Sequence, residues 1–497
     1  MTILLLVMGL AGCGREPPAD QVRQDLLTRL SSAFGPGLFN IMSLSRRGSS
    51  TDINSLAGEE RQIVYYDATL QLSRDVNFGG WDTPGVATIV TAFGAGPKGI
   101  RGAKADGNKA GDVILAHGTA VYRKDGDNWR GVAPTGFAAP VAPALDRMSP
   151  PGTSDLLLTA LQDVVRNVPT GAAPAAQAVI NQELSRAVST IQARLTRLSK
   201  GYPVAAGQDG GQYVRFVQAL QVTKPMGLTF RALLTEGSVE NLGLLRQGDV
   251  VVALAQGDIA AQAMAGQGPF AAQGPFDALR AIGSLYPEPL HILVRADSPA
   301  KGIGDLTRKR IGLGPRGSGT RATAERLLAA YGMSAGKDYD LDETPFAPAL
   351  AALQSGKLDA VMQIVGMPAD QIRNAAASIP LRLLPVDDAV LSSLTAKDAA
   401  LLRGSIPRGT YQGVDADVPT LTVAALVVTT SALGEAEGRT LATAIFGNKA
   451  DLLAAGSAQG GQVSARTARL GVPIPLAKGA EAALIELGSK NESRANP

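Results

Sequence analysis

The sequence has few of the residues that most metalloenzymes and nucleic-acid-binding proteins use. Its 497 residues include one cysteine and two histidines, and aromatic residues make up only 4%. A single cysteine excludes an internal disulfide, and the two histidines, His117 and His291, are too far apart to give a metal-ligand spacing. The formal net charge is +3 without a long basic run, so an electrostatic footprint for nucleic acid is missing. The length predicts two or three domains.

The cysteine lies near the start of the chain, after a short apolar run that no Lys or Arg precedes. Residues 2–10 form this run, and Leu10-Ala11-Gly12-Cys13 fits the cleavage pattern of bacterial lipoproteins. The run is too short to span a bilayer as a helix, whereas several acyl chains on one cysteine anchor a protein stably. We therefore predict a signal peptide over 1–13 and lipidation of Cys13. The alternative is a buried N-terminal strand with an incidental cysteine.

Residues 14–150 are predicted to form a small α+β domain. Helical spacing is present at its start, alternation predicts strands after it, and an Asp-Gly turn joins the last two strands. These elements are a helix over 19–33 and strands over 63–72, 86–93, 114–122 and 129–132. Residues 151–200 are predicted to form a helical linker, with helices over 154–167 and 175–200. We interpret Trp81, Trp129 and His117 as core or edge residues.

From residue 201 the sequence alternates strand-like and helix-like segments, which is typical of βαβ units and a parallel sheet. Leu244–Leu254 and Ala352–Met362 share one pattern of helix, glycine and strand. This repetition predicts an α/β structure with two lobes. The predicted lobes are 201–297 with 405–497, and 298–404. Extended apolar tracts near Arg295–Asp297 and over Val418–Thr430 are predicted to cross between the lobes as a two-strand hinge.

A glycine-rich turn is predicted between a strand at 310–313 and a helix at 320–331. Its sequence from residue 312 is Gly-Leu-Gly-Pro-Arg-Gly-Ser-Gly-Thr, which contains the dinucleotide pattern Gly-x-Gly-x-x-Gly. Pro315 stiffens this turn and an acidic ribose partner is missing from the end of the next strand, which argues against a dinucleotide. A P-loop needs a Lys-Ser/Thr pair after the glycines, and this turn has none, so a P-loop is excluded. The remaining interpretation is that Ser318 and Thr320 either cap the helix or hold an anion at its N-terminus.

Several motifs together resemble the TAXI family of TRAP-transporter solute receptors over residues 201–480. The motifs are Gly207-x-x-Gly210-Gly211-x-Tyr213, Gly237–Leu242, Gln256-Gly257-Asp258, Gly268-Pro269-Phe270, Leu285–His291, Gly314–Thr323, Val365-Gly366-x-Pro368, Gly409-Thr410-Tyr411, Asp417–Thr420 and Pro473-Ile474-Pro475. The family has Gln-Ser-Asp in the third motif and a small, glycine-rich start to the helix that begins here at Val214. The resemblance implies a type II periplasmic-binding-protein fold, a periplasmic solute receptor and a TRAP permease as membrane partner. The lipid anchor is predicted from the pattern at Cys13.

In doubly wound lobes the ligand lies outside the C-terminal ends of the strands. This rule and the resemblance together predict ligand-binding residues in the loops after the strands. They are Gly210, Gly211, Tyr213, Ser238, Asn241, Gln256, Asp258, Ser318, Thr320, Val365, Gly366 and Tyr411. Asp258 is predicted to bind an ammonium group of the solute and the helix end at Ser318 its carboxylate, which indicates an amino acid or a small organic acid.

We predict neither a cofactor nor a metal, and no nucleophile–base pair stands out for catalysis. Two alternatives to a transport receptor remain open. The first is a ligand-sensing lipoprotein that signals to a membrane partner without transport. The second is an enzyme that uses the glycine turn for a cofactor.

Overall fold

The chain forms two compact units, residues 1–138 with 203–497, and residues 139–202. The computed structural model describes residues 17–52, 59–79, 85–95, 99–104, 106–126, 128–132, 174–447 and 452–495. The predicted signal peptide with Cys13, the predicted helix over 154–167 and Trp81 lie outside the described residues.

The N-terminal domain is an antiparallel five-stranded sheet with two helices packed on it. Its elements are α1 (Ala19–Phe34), β1 (Phe39–Thr51), β2 (Arg61–Leu72), α2 (Val86–Phe93), β3 (Ile100–Arg101), β4 (Val113–Asp125) and β5 (Asn128–Val132). The strand order is β1-β2-β4-β3, and β5 pairs with β4. Every second residue of β2 from Val64 to Leu72 is buried, as the alternation predicts, and packs with Leu26 of α1. The α+β character is confirmed.

Three elements of this domain differ from the predictions, and the first is the two-residue strand β3, which was not predicted. Val86–Phe93 is helix α2 and not a strand, because a short run that is apolar throughout carries no period that separates the two. Gly94 ends the helix in a left-handed conformation, with φ +59°, and its N–H donates to Thr91 O. Strand β1 was not predicted, because most of its side chains after Ile41 are exposed or half-buried and therefore polar.

Helix α3 (Pro174–Lys200) belongs to the unit 139–202. It coincides with the amphipathic segment predicted over 175–200. Arg197 and Lys200 lie in its last turn, where cations favour the helix dipole. Gly201, with φ +87°, follows the helix and its N–H donates to Arg197 O over 2.8 Å.

The rest of the chain is α/β, with ten strands in one continuous sheet. The strands are β6 (Tyr202–Gly207), β7 (Phe230–Leu234), β8 (Val252–Gln256), β9 (Leu279–Arg295), β10 (Arg310–Gly312), β11 (Asp340–Asp342), β12 (Ala360–Ile364), β13 (Leu381–Leu383), β14 (Leu402–Ile406) and β15 (Val418–Thr430). The helices are α4 (Gln212–Thr223), α5 (Ser238–Gln247), α6 (Gly257–Ala265), α7 (Gly319–Ala330), α8 (Phe346–Gln354), α9 (Asp370–Ser378), α10 (Asp388–Lys397), α11 (Glu435–Phe446) and α12 (Lys478–Ala495).

Two long strands connect two lobes. The strand order is β11-β10-β12-β9-β15-β8-β6-β7, with β13 paired to β9 and β14 to β15. Strand β10 pairs in parallel with β11 and β12 in the second lobe, and β6 pairs in parallel with β8 in the first. Strands β9 and β15 run antiparallel to each other between these groups. The predicted two-lobed fold with a two-strand hinge is confirmed.

The first crossing strand is longer than the sequence suggested. Residues 279–289 of β9 pair with β15, and residues 290–293 pair with β12. The strand therefore passes from one lobe to the other around residues 287–290, ahead of the tract at Arg295–Asp297. The reason is that Leu285–His291 is buried throughout, so the chain stays extended where Pro287 and Pro289 favoured an interruption.

The N-terminal domain contacts both lobes. Arg373 of the second lobe donates to Thr91 Oγ1 of α2 over 3.3 Å. On the side of the first lobe, Ser464 donates to Asp106 Oδ1 over 2.5 Å, and Leu453 packs into the N-terminal core. The domain is therefore attached to both sides of the hinge.

Candidate functional site

A cavity of about 910 Å³ lies between the two lobes, outside the carboxyl ends of their strands. We call it the cleft cavity. Its wall is made of the loops after β6, β7 and β8 in the first lobe and after β10, β11 and β12 in the second. Many of the predicted residues lie on this wall: Gly210, Gly211, Tyr213, Ser238, Gln256, Ser318, Thr320 and Val365.

The N-termini of helices from both lobes converge on this cavity. Gly211 before α4, Gly237 before α5, Ser318 before α7 and Ala369 before α9 all line it. Of these four N-cap residues only Ser318 has a polar side chain, and it makes no capping hydrogen bond. Capping of the helix by the Ser318 side chain, one of the two roles that the sequence allowed, is therefore not observed. At α5 the N–H groups of Val239 and Glu240 donate to Gly317 O across the cleft. Uncapped helix N-termini favour negative charge, because their first amides have no partner within the helix.

The glycine turn at α7 already binds one carboxylate of the protein. The N–H of Gly317 donates to Glu236 Oε2 over 2.8 Å, and its carbonyl accepts from Val239 N over 3.1 Å. Glu236 and Val239 belong to the first lobe, so these bonds join the lobes across the cleft. Glu236 was not among the predicted residues; its position directly before the motif Gly237–Leu242 was the available signal.

The same contacts explain why glycines are needed in this turn. A Cβ on Gly317 would lie 2.6 Å from Glu236 Oε2, and one on Gly319 would lie 2.4 Å from Gln256 Oε1. Both neighbours are side chains of the opposite lobe. The glycines are therefore accounted for by the close approach of the two lobes, without a dinucleotide.

A buried carboxyl group lies at the floor of the cavity. Glu288 on β9 is 3% exposed and accepts a hydrogen bond of 2.6 Å from the Tyr213 hydroxyl. Burial raises the pKa of Glu288 to about 8, and the bond from Tyr213 only partly opposes this. The group is therefore protonated and neutral at pH 7. The sequence offered one signal for it, a lone carboxylate within an apolar strand.

Two glutamine side chains present acceptors to the cavity. Gln212 donates from Nε2 to Gly366 O over 2.6 Å, which joins the lobes, and its Oε1 is buried without a partner. Gln256 Oε1 is also buried without a partner. The main chain of Gln256 is held by its N–H bond of 3.0 Å to Ser238 Oγ. These oxygens can accept from an amine or a hydroxyl of a bound molecule.

Asp258 is not on the wall of the cavity. It is fully buried, accepts a 2.5 Å hydrogen bond from Thr323 Oγ1, and lies 3.6 Å from Arg326 Nη1. Burial raises its pKa to about 6. Thr323 and Arg326 belong to α7, so Asp258 links the lobes behind the cavity. The placement that we predicted, against the ammonium group of a solute, is not what the structure has, because the side chain of Asp258 points between α6 and α7.

Asn241 and Thr320 hold strand ends in place. Asn241 is fully buried and donates to Ala206 O and Leu254 O, each over 2.7 Å. These bonds join the ends of β6 and β8, and Asn241 does not line the cavity. The hydroxyl of Thr320 accepts from Ile364 N over 3.1 Å and so holds the end of β12, although Thr320 does line the cavity.

Tyr411 lies away from the cavity and belongs to a buried chain of hydrogen bonds at the hinge. Its hydroxyl donates to His291 Nε2 over 2.8 Å and accepts from Ala369 N over 2.9 Å. His291 Nδ1 in turn donates to Pro289 O over 3.0 Å. Burial lowers the pKa of His291 to about 4, which keeps the ring neutral. Tyr411 therefore fixes the hinge strand instead of closing the cleft. Gly366 does not line the cavity either, and its carbonyl accepts the hydrogen bond from Gln212.

Charged side chains at the cavity are partly paired with each other. Arg215 on α4 forms an ion pair with Asp370 at the start of α9, and Arg373 donates to the other oxygen of Asp370 over 2.6 Å. Among the described residues, no group of three or more His, Cys, Asp or Glu side chains is placed to hold a metal ion. None of the helices that the structure describes is long and apolar enough to cross a membrane.

Comparison with known proteins places the lobes in a family. The model of the NMT1-like family matches residues 204–488, from β6 into α12, and leaves the N-terminal domain unmatched. The periplasmic aliphatic sulphonate binding protein SsuA from Escherichia coli is 16% identical, with 59% of this chain and 85% of that chain covered and a TM-score of 0.33. SsuA from Xanthomonas axonopodis pv. citri, bound to MOPS, is 17% identical, with 59% of this chain and 91% of that chain covered and a TM-score of 0.34. The periplasmic binding protein BugD is 12% identical, with 59% of this chain and 93% of that chain covered and a TM-score of 0.36.

Proposed function

The chain belongs to the NMT1-like family, and from this membership and the cleft we propose that it is a receptor that binds a small solute between its lobes. The observation that carries the proposal is the convergence of helix N-termini from both lobes on one cavity, where that of α7 has no side-chain cap. Such N-termini attract anions. Enzymatic chemistry has no comparable support, because His291 is hydrogen-bonded to Tyr411 and Pro289 O and Glu288 accepts from Tyr213.

The groups around the cavity favour a solute that is anionic at one end and donates hydrogen bonds at the other. The turn at Gly317 binds the carboxylate of Glu236, which shows how main-chain amides hold a carboxylate here. The neighbouring N-terminus of α7 suits a solute carboxylate in the same way. The neutral Glu288 can donate its proton to such an anion. Gln212 and Gln256 supply acceptors for an amine or a hydroxyl. In this proposal Gln256 takes the role that we first assigned to Asp258, and an amino acid or a small organic acid satisfies both ends.

We extend the proposal to the cell. The resemblance to TAXI receptors supports delivery of the solute to a TRAP permease in the membrane, and the pattern at Cys13 supports a lipid anchor in the periplasm. A second candidate function is a ligand sensor without transport. One observation favours it: the N-terminal domain contacts both lobes, through Thr91 and Asp106, and is therefore placed to register their closure.

Titration calorimetry of the full chain against amino acids and dicarboxylates tests the binding function. We expect at least one of them to bind, and Gln256→Leu to weaken that binding about tenfold through loss of one acceptor. Gln218→Leu, on the exposed side of α4, is the matched control and should bind as the native protein does. Silence of the whole panel would count against the proposal. Co-purification with a permease favours transport, and co-purification with a signalling protein favours the sensor.

A further inference from the structure

A second cavity, of about 860 Å³, lies between the N-terminal domain and the second lobe. We call it the interdomain cavity. Helix α1 and the hairpin β4–β5 form one side, and Arg373 with the loop Gly409–Gln412 forms the other. The part of its wall formed by the N-terminal domain lies outside the residues that the family model covers. The two cavities share no lining residue, although both include residues of helix α9.

Four polar atoms on the wall of the interdomain cavity are buried without a hydrogen-bond partner. They are Asp25 Oδ2, Arg29 Nη2, Tyr122 Oη and Arg373 Nε. Tyr122 is 0% exposed and Arg373 is 3% exposed. A buried polar atom without a partner is costly, and native proteins rarely leave one, so four in one cavity call for a common explanation.

Two of these side chains are held in place by their other atoms. Arg373 donates through its two terminal nitrogens to Thr91 Oγ1 and to Asp370 Oδ1, and Arg29 Nε donates to Asp25 O over 3.3 Å. Burial and the nearby charge of Asp25 raise the pKa of Tyr122, yet its hydroxyl and Asp25 Oδ2 do not meet hydrogen-bond geometry. The guanidinium groups of Arg29 and Arg373 are thus fixed beside the gap, with Asp25 and Tyr122 next to them.

The unpaired donors and acceptors have opposite charges: Asp25 and Arg29 lie one turn apart on α1, and Arg373 faces them from the second lobe. Arg29 and Arg373 offer guanidinium N–H groups, which suit a carboxylate. Asp25 offers a carboxylate oxygen, which suits an ammonium group. Tyr122 can donate to the first or accept from the second. A simple anion would leave Asp25 unpaired beside it, and a simple cation would leave both arginines unpaired.

We propose that the interdomain cavity is a second binding site, for a small zwitterion that carries an amine and a carboxylate, such as a free amino acid. The carboxylate is bound by Arg29 and Arg373 and the ammonium by Asp25, with Tyr122 hydrogen-bonded to the ligand. This proposal does not rest on the function proposed for the cleft cavity.

The experiment is calorimetry on the full chain with the twenty common amino acids, each tested singly. We expect a binding event that Tyr122→Phe weakens about tenfold and Arg29→Met weakens at least as much. Tyr65→Phe is the matched control, since this hydroxyl lies on the exposed face of the same domain, near Ser50, and the variant should bind normally. The N-acetyl and methyl ester derivatives, which lack the cation and the anion respectively, should each bind at least about tenfold more weakly.

Two results would overturn the proposal. One is that neither Tyr122→Phe nor Arg29→Met changes the binding of any amino acid, while both variants have the same unfolding temperature as the native protein. The other is that the acetylated derivatives bind as well as the free amino acids. Gln256→Leu separates this site from the cleft cavity, because it weakens binding in the cleft and leaves the event that depends on Tyr122 unchanged.

Discussion

The two cavities of the protein are built from different parts of the chain. The cleft cavity is surrounded by helix N-termini and main-chain groups that follow parallel strands, with two glutamine oxygens and one neutral carboxyl group among them. The interdomain cavity is surrounded by charged side chains from two domains, two arginines and an aspartate, around a buried tyrosine. The first depends on topology and the second on particular residues.

This difference teaches where substitutions should matter. In the cleft cavity many of the donors belong to the backbone, so solute affinity there should be sensitive to residues that control the approach of the lobes. In the interdomain cavity the unpaired atoms belong to side chains, so their removal costs the folded protein little and a ligand much. The following predictions test this contrast, from the largest expected effect to the smallest.

Two tyrosines of the interdomain cavity should differ strongly in how much stability the protein loses with their hydroxyl. Tyr411→Phe removes the donor to His291 Nε2 and the acceptor of Ala369 N, both buried, and should lower the free energy of unfolding by about 3 kcal/mol. Tyr122→Phe removes a hydroxyl without a partner and should change it by less than about 0.5 kcal/mol. Urea unfolding measures both. Equal losses in the two variants would contradict the contrast between paired and unpaired groups.

The neutral acid of the cleft cavity should make stability depend on pH. The pKa of Glu288 is raised by burial from 4.5 to about 8, so its contribution is complete below pH 4.5 and is lost as the pH rises through 8. Asp258, raised to about 6, acts at lower pH. Between pH 6 and 8 we therefore expect Glu288 to account for a loss of about 2 kcal/mol. Glu288→Gln should flatten this window in urea unfolding, and an unchanged slope would show that the group is ionised.

Closure of the lobes should be sensitive to a single methyl group in the glycine turn. Gly319→Ala places a Cβ 2.4 Å from Gln256 Oε1 and 2.8 Å from Ser238 Oγ. Overpacking of this kind costs about 1–3 kcal/mol, so solute affinity in the cleft should fall at least about tenfold. Gly243→Ala on α5, with open space around its Cβ, is the control. Binding in the interdomain cavity should survive, and its loss would mean that the two cavities respond to one movement.

The charge of Glu236 should set the sign of a small selectivity effect. Its carboxylate occupies the N–H of Gly317, where it repels a second anion at the mouth of the cleft. Glu236→Gln should strengthen the binding of a dicarboxylate about threefold and weaken that of a diamine, because interactions at such exposed sites are screened. Calorimetry at low and high salt measures both shifts. Stronger diamine binding in the variant would place the anion end of the solute elsewhere.

The sequence could predict much of the fold and the location of the cleft cavity. Alternation identified β2, and the repeated order of helix, glycine and strand identified the two lobes. Loops after parallel strands meet at one edge of each lobe. This is why Gly211 and Ser238 of the first lobe and Ser318 of the second all line the cleft cavity.

Side-chain direction and distant packing could not be predicted. Asp258 is in a predicted loop, but its carboxylate turns towards Thr323 behind the wall. Glu288 lies within a strand, and its burial depends on the pairing of β9 with β15. Helix α2 has no period to distinguish it from a strand. The interdomain cavity joins residues from α1 and β4 to Arg373, and no local pattern links such separate segments.

Asp370 lies between the two cavities and has a partner in each. One of its oxygens accepts from Arg215, which lines the cleft cavity, and the other accepts from Arg373, which lines the interdomain cavity. A molecule that draws Arg373 towards itself weakens the hold of that arginine on Asp370 and leaves the carboxylate to Arg215. If an occupant of one cavity alters the affinity of the other in this way, thermodynamic reciprocity requires the same factor in the reverse direction. The shared carboxylate is the shortest physical connection through which two small molecules could influence each other in this chain.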